Sequence, residues 1–324
     1  MPVSHASELL SLHALLAARF PGVPVGKGDR RPRLHLYHAP NSICAQKVRA
    51  VLAQTGEAYV SHSLNIFRGE SYDPAYVRLR MTGCAASGLD LARRHLGTTS
   101  VASAGCDACV VPTLVDIEEE RVIIDSRRIC MELDSSHSNL SPANLRPRIE
   151  TELAIVDDLP NYQLLAPGVG AAVAGPKNAF AVSKVARCDA LLAEHANDAA
   201  LCAAYDAKRA KEQMAADRLF DAEALKRAQA QMLKALRDLD ARLSTTDGPF
   251  LFGDIVTMAD LFWGVELTRC EDLGLSPAWS GGQLTRLARY CRALSALPAV
   301  VQAVLEWPGA RLERRPDLEV LAAA

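Results

Sequence analysis

The sequence predicts an α/β domain followed by an all-helical domain. Strand-like and helix-like patterns alternate between residues 34 and 134, whereas the strand signals vanish after residue 148. The 324 residues are enough for two ordinary domains, each with a core of its own. We therefore expect a sheet in the first half of the chain and packed helices in the second.

The predicted sheet begins with a strand, a helix and a second strand. Residues 34–38 alternate between apolar and polar side chains, as a short strand does. Ser42 has the character of a helix N-cap, and Gly56 stops the helix predicted over 44–54. Residues 58–66 return to an extended pattern. Two strands joined through a crossover helix run parallel, so this unit predicts a parallel pair.

A helix, an insertion and a hairpin complete the first domain. The helix is predicted over 72–81, and residues 82–109 interrupt the regular pattern with many small side chains. Strands over 110–116 and 121–124 then form a hairpin, and a helix opens at Asp125 and ends near residue 134. The order βαβ, insertion, ββα is that of a thioredoxin-like sheet.

These patterns divide the chain into an N-terminal extension, two domains joined by a linker, and a C-terminal tail. Residues 1–33 are an N-terminal extension, expected to form an amphipathic helix and a linker rich in Pro, Gly and Arg. Residues 34–144 are the α/β domain with its insertion, and 145–147 are a linker. Residues 148–310 are the helical domain, and 311–324 are a C-terminal tail.

Helical signals are strongest over residues 222–243 of the second domain. An apolar stripe at helical spacing runs along this segment: Leu225, Met232, Leu233, Leu236, Leu239 and Leu243. Thr257 and Asp260 have the spacing of an N-terminal capping box, and the nearly wholly apolar residues 261–270 follow as a buried helix.

The amino-acid composition argues against nucleic acid and membrane as binding partners. The 36 basic residues are balanced by 38 acidic ones, which leaves a net charge of −2 and no overall positive field for nucleic acid. No apolar run approaches the roughly 20 residues of a membrane-spanning helix. Nine cysteines are an odd number in a chain too long to need disulfides for stability. We therefore expect a cytoplasmic protein with free thiols, and neither nucleic acid nor membrane as a partner.

Cys44 stands out among these thiols by its position. With Ser42 as the cap, Cys44 is the second residue of the helix, where unpaired N–H groups favour an anion. A thiol there is expected to have a lowered pKa and to react as the thiolate, with the Ser42 hydroxyl able to donate to a nearby sulfur anion. Alternatively, Ser42 is only a cap and Cys44 a small buried apolar residue.

Two further features lie before the third strand and after the fourth. Pro112 follows Val111 at the strand entrance, and a cis bond there would leave the Val111 backbone able to pair with an extended peptide. Asp125 and Ser126 open a helix, where amides and a hydroxyl suit a carboxylate and Asp125 suits an ammonium group. An ordinary strand-start proline and a simple helix cap are the alternatives.

In order and spacing, these features resemble the glutathione S-transferases. Residues 34–134 are similar to the glutathione-binding domain of that family, at Pro112 and at Asp125-Ser126. Residues 148–310 are similar to its helical domain, with a matching capping motif at 250–260. The resemblance implies glutathione as co-substrate, no metal, and a homodimer.

A narrower resemblance is to the chlorohydroquinone reductive dehalogenases. It rests on residues 42–49, which begin Ser-Ile-Cys, on 76–80, on 260–263 and on 306–309. It implies reductive dehalogenation of a small aromatic substrate, a chlorinated hydroquinone. Glutathione would lie on Val111, Pro112, Asp125 and Ser126, while Ser42 and Cys44 would be catalytic.

Two other functions remain compatible with these residues. A cysteine-type thiol transferase acting on glutathionyl-quinones or aryl ethers would also use Cys44, without loss of halide. A non-catalytic relative that binds apolar ligands would need neither Ser42 nor Cys44. Within the insertion, Cys84, His95 and the pair Cys106-x-x-Cys109 could hold zinc, although free thiols are the preferred interpretation.

Overall fold

A computed structural model of the chain describes residues 5–26, 32–137, 140–170 and 178–312. A five-stranded mixed sheet lies in the first half, and helices form the second half. Within these residues, no helix is both long and apolar enough to cross a membrane. The predicted tail at 311–324 falls almost entirely outside the described residues.

The sheet has the predicted thioredoxin-like order with one additional strand. The strands are β1 (Val23–Val25), β2 (Leu34–His38), β3 (Tyr59–Ser63), β4 (Thr113–Asp116) and β5 (Arg121–Ile124). Strands β2 and β3 are parallel, β4 is antiparallel to β2, and β5 is antiparallel to β4. The spatial order is β1-β3-β2-β4-β5.

The helices of the first half are α1 (His5–Arg19), α2 (Ile43–Thr55), α3 (Pro74–Ser87), α4 (Val101–Ala104) and α5 (Ser126–His137). Helix α2 begins and ends at the predicted signals, because Ser42 caps it and accepts a hydrogen bond from the amide of Ala45, and Gly56 ends it with a φ of 74°. Asp73 caps α3, whose first residue is a proline. The short helix α4, within the insertion, was not predicted.

Over its described residues, every named element of the second half is a helix. Its helices are α6 (Arg146–Asp157), α7 (Asn161–Gly170), α8 (Ala179–Glu194), α9 (Ala199–Arg218), α10 (Ala222–Leu243), α11 (Met258–Asp272), α12 (Pro277–Ser280), α13 (Thr285–Ser295) and α14 (Pro298–Val300). The linker expected at 145–147 is wrong, because α6 already begins at Arg146 and Pro147 lies in its first turn, where a proline costs no hydrogen bond.

The N-terminal extension is part of the sheet domain rather than a helix with a free linker. Helix α1 packs against α3, and β1 adds to the sheet edge beside β3, within the segment expected to be a linker. A buried contact anchors the helix, since the Tyr37 hydroxyl lies 2.9 Å from Nδ1 of His13. The linker prediction is therefore wrong at 23–25, where β3 offers an open edge for pairing.

The insertion folds back onto the sheet domain. Helix α3 extends to Ser87, six residues beyond its predicted end, and a bridge then pairs Leu91 with Cys106. This return brings Cys106 to a Cα–Cα distance of 6.0 Å from Cys84, and the two form a disulfide. The expectation of free thiols throughout is thus wrong for this pair, and neither Cys84 nor Cys106 is available to the zinc set considered for the insertion.

The main core lies where the two halves meet. Helix α11 packs against α2 and α6, and its Trp263 and Phe262 are fully buried. In α10, Met232, Leu236 and Leu239 of the predicted stripe are fully buried as well. This packing fixes α2, and with it Cys44, against the helical half.

Candidate active site

Cys44 lies at the N-terminus of α2, facing a cavity between the two halves. It is the second residue of the helix and is partly exposed. The Ser42 hydroxyl accepts a hydrogen bond from the Ala45 amide at 3.4 Å and lines the same cavity. Ser42 therefore acts as the cap, and its hydroxyl hydrogen stays available for a second acceptor.

The surroundings of Cys44 raise the pKa of its thiol. Burial has the largest effect, and the carboxylates of Asp157 and Asp125 add to it. The Lys47 ammonium and a hydrogen bond with Ser126 act in the opposite direction without overcoming burial. The expected lowering of this pKa is therefore wrong, because the helix end lies in a desolvated cleft bordered by two carboxylates.

Val111 and Pro112 lie directly before β4 and are joined by a cis peptide bond. Val111 is buried against the same cavity as Cys44. The carbonyl of Pro112 accepts a hydrogen bond from Nη1 of the buried Arg80 at 2.5 Å. Arg80 therefore holds the β4 entrance in place, and Arg80, Val111 and Cys44 all line the same cavity.

Asp125 and Ser126 lie at the junction of β5 and α5. Asp125 has a φ of 72°, and its carboxylate accepts a hydrogen bond from the Arg128 amide at 3.0 Å. Ser126 is buried and hydrogen-bonds to Cys44. Asp125 lines a neighbouring surface cavity of about 490 Å³, together with Arg127 and Arg128. The residues that line both this surface cavity and the Cys44 cavity are Ser100 and Val101 of the insertion.

The Cys44 cavity has a volume of about 260 Å³ and mostly apolar walls. One wall carries Ser42, Cys44 and Val111, and the insertion supplies another through Thr98–Val101 and Ala104–Asp107. Helices α7, α8 and α9 form the side remote from the sheet. The insertion thus closes the cavity between the predicted cysteine site and the helical half.

A cluster of buried charges on α8, α9 and the insertion was not foreseen from the sequence. Lys208 lies 2.8 Å from Oδ2 of Asp107 and 2.7 Å from Oε1 of Glu212. Lys211 also contacts Asp107, at 3.0 Å, and Lys184 lies 3.4 Å from Glu212. The spacing of Lys208 and Glu212, four residues apart, is visible in the sequence but is also typical of exposed helix pairs.

Aromatic rings adjoin this charged cluster. Tyr162 donates a hydrogen bond to Oε2 of Glu212 at 2.5 Å and stacks on His95, with ring centroids 4.0 Å apart. Burial and nearby lysines hold the pKa of His95 well below its usual value, so this ring is neutral. Phe180 and the half-exposed Phe67 have centroids 6.0 Å apart and both line the cavity.

The other cysteines and the candidate metal ligands do not assemble into a second centre. Cys109, Cys130, Cys188, Cys270 and Cys291 are buried, and Cys202 is partly buried. Over the described ranges, no group of three or more His, Cys, Asp or Glu side chains could hold a metal ion. Cys44 is thus the thiol with both a partly exposed side chain and a place in the central cavity.

Comparison with known sequences finds relatives along most of the chain. Residues 222–293 match the family model of the glutathione S-transferase C-terminal domain. A 2,5-dichlorohydroquinone reductive dechlorinase of Sphingobium indicum is 36% identical over 86% of this chain and 84% of its own. A tetrachloro-p-hydroquinone reductive dehalogenase of Sphingobium chlorophenolicum is 28% identical over 81% of this chain and 92% of its own.

Solved structures share the fold at low sequence identity. A glutathione transferase of Phanerochaete chrysosporium, in complex with oxidized glutathione, superposes with a TM-score of 0.52 at 15% identity, covering 84% of this chain and 94% of its own. A β-etherase of a Sphingobium species gives 0.53 at 17% identity, covering 84% and 98%. Together with the 36% identity over most of both sequences, these matches show that the chain belongs to the glutathione S-transferase family.

Proposed function

We propose that the chain is a glutathione-dependent reductive dehalogenase of chlorinated hydroquinones. The observation that carries this proposal is the pairing of Ser42 and Cys44 at one helix N-terminus in the central cavity. A transferase that only forms conjugates needs a single hydroxyl to stabilise the glutathione thiolate. The additional thiol is the group that a reductive release requires. The names of the two bacterial relatives point to the same chemistry.

Glutathione is assigned to the side of the cavity formed by the sheet. Its cysteine backbone would pair with the backbone of Val111, beside the cis bond to Pro112. Its γ-glutamyl group would lie at the N-terminus of α5, with its carboxylate toward Ser126 and its ammonium toward Asp125. Both helix N-termini, of α2 and α5, would then stabilise negative charge on one ligand.

Reduction of the ring proceeds through two bond exchanges at sulfur. The glutathione thiolate, stabilised by Ser42, adds to the tautomerised ring, so that a C–S bond forms and chloride leaves. The Cys44 thiolate then attacks the sulfur of the conjugate. An S–S bond forms, the C–S bond breaks, and its electron pair stays on the ring carbon, which takes a proton.

A second glutathione closes the cycle. Its thiolate attacks the mixed disulfide between glutathione and Cys44, releases oxidized glutathione and restores the Cys44 thiol. The sum is one aryl chloride and two glutathione molecules giving the dechlorinated ring, oxidized glutathione, chloride and a proton. Two electrons from two thiols therefore reduce the ring.

The test is the fate of the substrate in the Cys44→Ser variant. With 2,5-dichlorohydroquinone and glutathione, we expect this variant to release chloride and to accumulate the glutathionyl conjugate, because only the second exchange needs Cys44. Ser42→Ala should slow chloride release, and the conjugate should not accumulate because Cys44 still consumes it. Intact mass spectrometry of the wild type after one turnover should find a glutathione adduct on Cys44.

The alternatives give different results in this experiment. A thiol transferase would release no chloride from 2,5-dichlorohydroquinone, and it would form the Cys44 adduct only when a preformed glutathionyl-quinone or glutathionyl aryl ether is supplied, because breakage of that C–S bond is what oxidises the two thiols. A non-catalytic binding protein would do neither. Free dechlorinated hydroquinone from Cys44→Ser at the normal rate would contradict the role assigned to Cys44.

The homodimer and the cytoplasmic location stay predictions, drawn from the family resemblance and from the cysteine content. The Cys84–Cys106 disulfide shows that not every cysteine behaves as a free thiol.

A further inference from the structure

The cavity wall remote from the sheet carries more positive than negative charge. Three lysines of α8 and α9 line it, namely Lys184, Lys208 and Lys211, against two carboxylates, Asp107 and Glu212. The lysines hold the pKa values of both carboxyl groups below the usual range, so both carboxylates are ionised. One cationic charge is therefore in excess, in a region where burial makes an unpaired charge costly.

Lys184 has the longest ion-pair distances of these lysines, and it also donates a hydrogen bond to the Tyr162 hydroxyl at 3.1 Å. Its distances to both oxygens of Glu212 are 3.4 Å, whereas Lys208 and Lys211 approach carboxylates to 3.0 Å or less. Its Nζ lies 4.1 Å from the ring centroid of Phe180 and 4.5 Å from that of Tyr162. Burial and the neighbouring lysines lower the pKa of Lys184 to about 8. An additional anion would stabilise its ammonium form.

Tyr72 adds an unused donor to the same cavity. The residue is only 5% exposed, and its buried hydroxyl has no hydrogen-bond partner among the described residues. The Tyr205 hydroxyl donates a hydrogen bond to the backbone carbonyl of Tyr72 at 2.8 Å, and this bond holds the backbone at Tyr72 in place. Burial holds the pKa of Tyr72 well above its usual value, so the hydroxyl is protonated and can donate.

The lysine cluster is separate from the thiol end of the cavity. The charges that act most strongly on Cys44 are Lys47, Asp157 and Asp125, none of which belongs to the cluster. Glutathione, placed on Val111 and the α5 N-terminus, would occupy the sheet side. The excess positive charge and Tyr72 therefore belong to the part of the cavity lining that glutathione would leave for the second substrate.

We propose that Lys184 and Tyr72 bind a phenolic oxygen of the aromatic substrate in its ionised form, with the ring against Phe180. This assignment rests on the proposed function, since it names the residues that would recognise a hydroquinone. The bound phenol loses its proton to solvent, and the resulting phenolate charge spreads into the ring. A proton returning to a ring carbon then gives the tautomer that the glutathione thiolate attacks, without any transfer of electrons.

The test uses 4-nitrophenol, whose phenolate is coloured and which contains no halogen. Titrating the protein with it near neutral pH should raise the phenolate absorbance, because the site binds the anion better than the neutral phenol. Lys184→Met should weaken binding of the nitrophenolate by roughly 10- to 100-fold, the range for a hydrogen bond with a charged partner. Tyr72→Phe should weaken it by about tenfold.

Tyr72→Phe also protects the test against misfolding, because it removes a hydroxyl that makes no native hydrogen bond. Lys234→Met is the matched control: Lys234 is exposed on α10, 2.5 Å from Asp238, and this variant should bind the probe as the wild type does. Unchanged nitrophenolate binding in both Lys184→Met and Tyr72→Phe would overturn the assignment, as would a wild type that does not bind the probe.

Failure of the assignment is distinguishable from failure of the proposed function. Nitrophenolate binding involves neither glutathione nor loss of halide, whereas the function is judged by chloride release from 2,5-dichlorohydroquinone. If the assignment is correct, Lys184→Met should also raise KM for that substrate more than Lys234→Met does. Chloride release with unchanged KM in Lys184→Met would contradict the phenolate site and leave the dehalogenase proposal intact.

Discussion

At the scale of single residues, two opposing effects act on the pKa of the Cys44 thiol. The helix N-terminus and Lys47 favour the thiolate, whereas burial and the carboxylates of Asp125 and Asp157 favour the thiol. Burial has the larger effect, so the free enzyme holds Cys44 mainly as the thiol near neutral pH. A nucleophile kept protonated until substrate arrives is protected from unspecific oxidation.

This balance predicts how the reactivity of Cys44 depends on pH. Because the pKa lies above the usual value of 9.0, the thiolate fraction, and with it the rate of alkylation by iodoacetamide, should rise about tenfold from pH 7 to pH 8 and continue to rise to pH 9. Mass spectrometry of the Cys44 peptide separates its modification from that of the other cysteines. A rate that levels off below pH 8 would contradict the raised pKa.

Asp125→Asn provides the comparison for this measurement. Removing the carboxylate removes one contribution that raises the pKa, so Cys44 should be alkylated faster than in the wild type at the same pH. A slower reaction in Asp125→Asn would show that Asp125 acts on Cys44 through structure rather than through its charge.

At the scale of elements, the start of α11 depends on one buried carboxylate. Asp260 accepts hydrogen bonds from the amide and the hydroxyl of Thr257, at 2.8 and 2.6 Å. Its other oxygen accepts from the Leu251 amide at 2.9 Å and from the Tyr290 hydroxyl at 2.8 Å. The capping box predicted from the sequence therefore also ties α11 to the preceding loop and to α13.

Asp260→Ala should lower the free energy of unfolding by about 3–4 kcal/mol. The substitution removes a helix cap and leaves several buried donors without an acceptor, and these costs add. Urea unfolding followed by circular dichroism measures the change. Tyr290→Phe removes only one of the hydrogen bonds and should cost about 1 kcal/mol. Equal effects of the two substitutions would contradict the central role of Asp260.

Local sequence patterns predicted many of the helices and strands, but they did not predict the contacts between residues that are distant in sequence. Helix α10 was predicted with its observed bounds because the stripe from Leu225 to Leu243 is contained in one segment. The buried pair of Asp107 and Lys208 joins positions 101 residues apart, so no local pattern reveals it. The same holds for Cys84 and Cys106, which meet only because the insertion reverses direction.

At the scale of the whole molecule, buried polar contacts join the two halves around α2. Lys47 is fully buried and lies 2.8 Å from Oδ1 of Asp157 on α6, with its ammonium 4.8 Å from the ring centroid of Phe262. The carbonyl of Asp157 also accepts a hydrogen bond from the Thr99 amide of the insertion, at 3.0 Å. Sheet half, helical half and insertion therefore meet at one residue.

Breaking the pair of Lys47 and Asp157 should destabilise the whole molecule. Lys47→Met leaves the Asp157 carboxylate buried without its cation, and such a loss typically costs about 3–5 kcal/mol. Adding Asp157→Leu should recover part of the loss, because the orphaned charge is then gone and apolar contacts replace the pair. Lys47→Met, Asp157→Leu and the double variant are compared by urea unfolding under one set of conditions, as a double-mutant cycle.

The exposed pair of Lys234 and Asp238 provides the reference for that cycle. Lys234→Met removes the same charge from a solvated i,i+4 pair on α10 and should change the free energy of unfolding by less than about 0.5 kcal/mol. The two variants exchange identical residue types. The difference between their changes in the free energy of unfolding therefore isolates the effect of burial. If Lys47→Met were as mild as Lys234→Met, the ion pair of Lys47 and Asp157 would not be what holds the two halves together. In that case, this pair would position α2 and Cys44 without stabilising the fold.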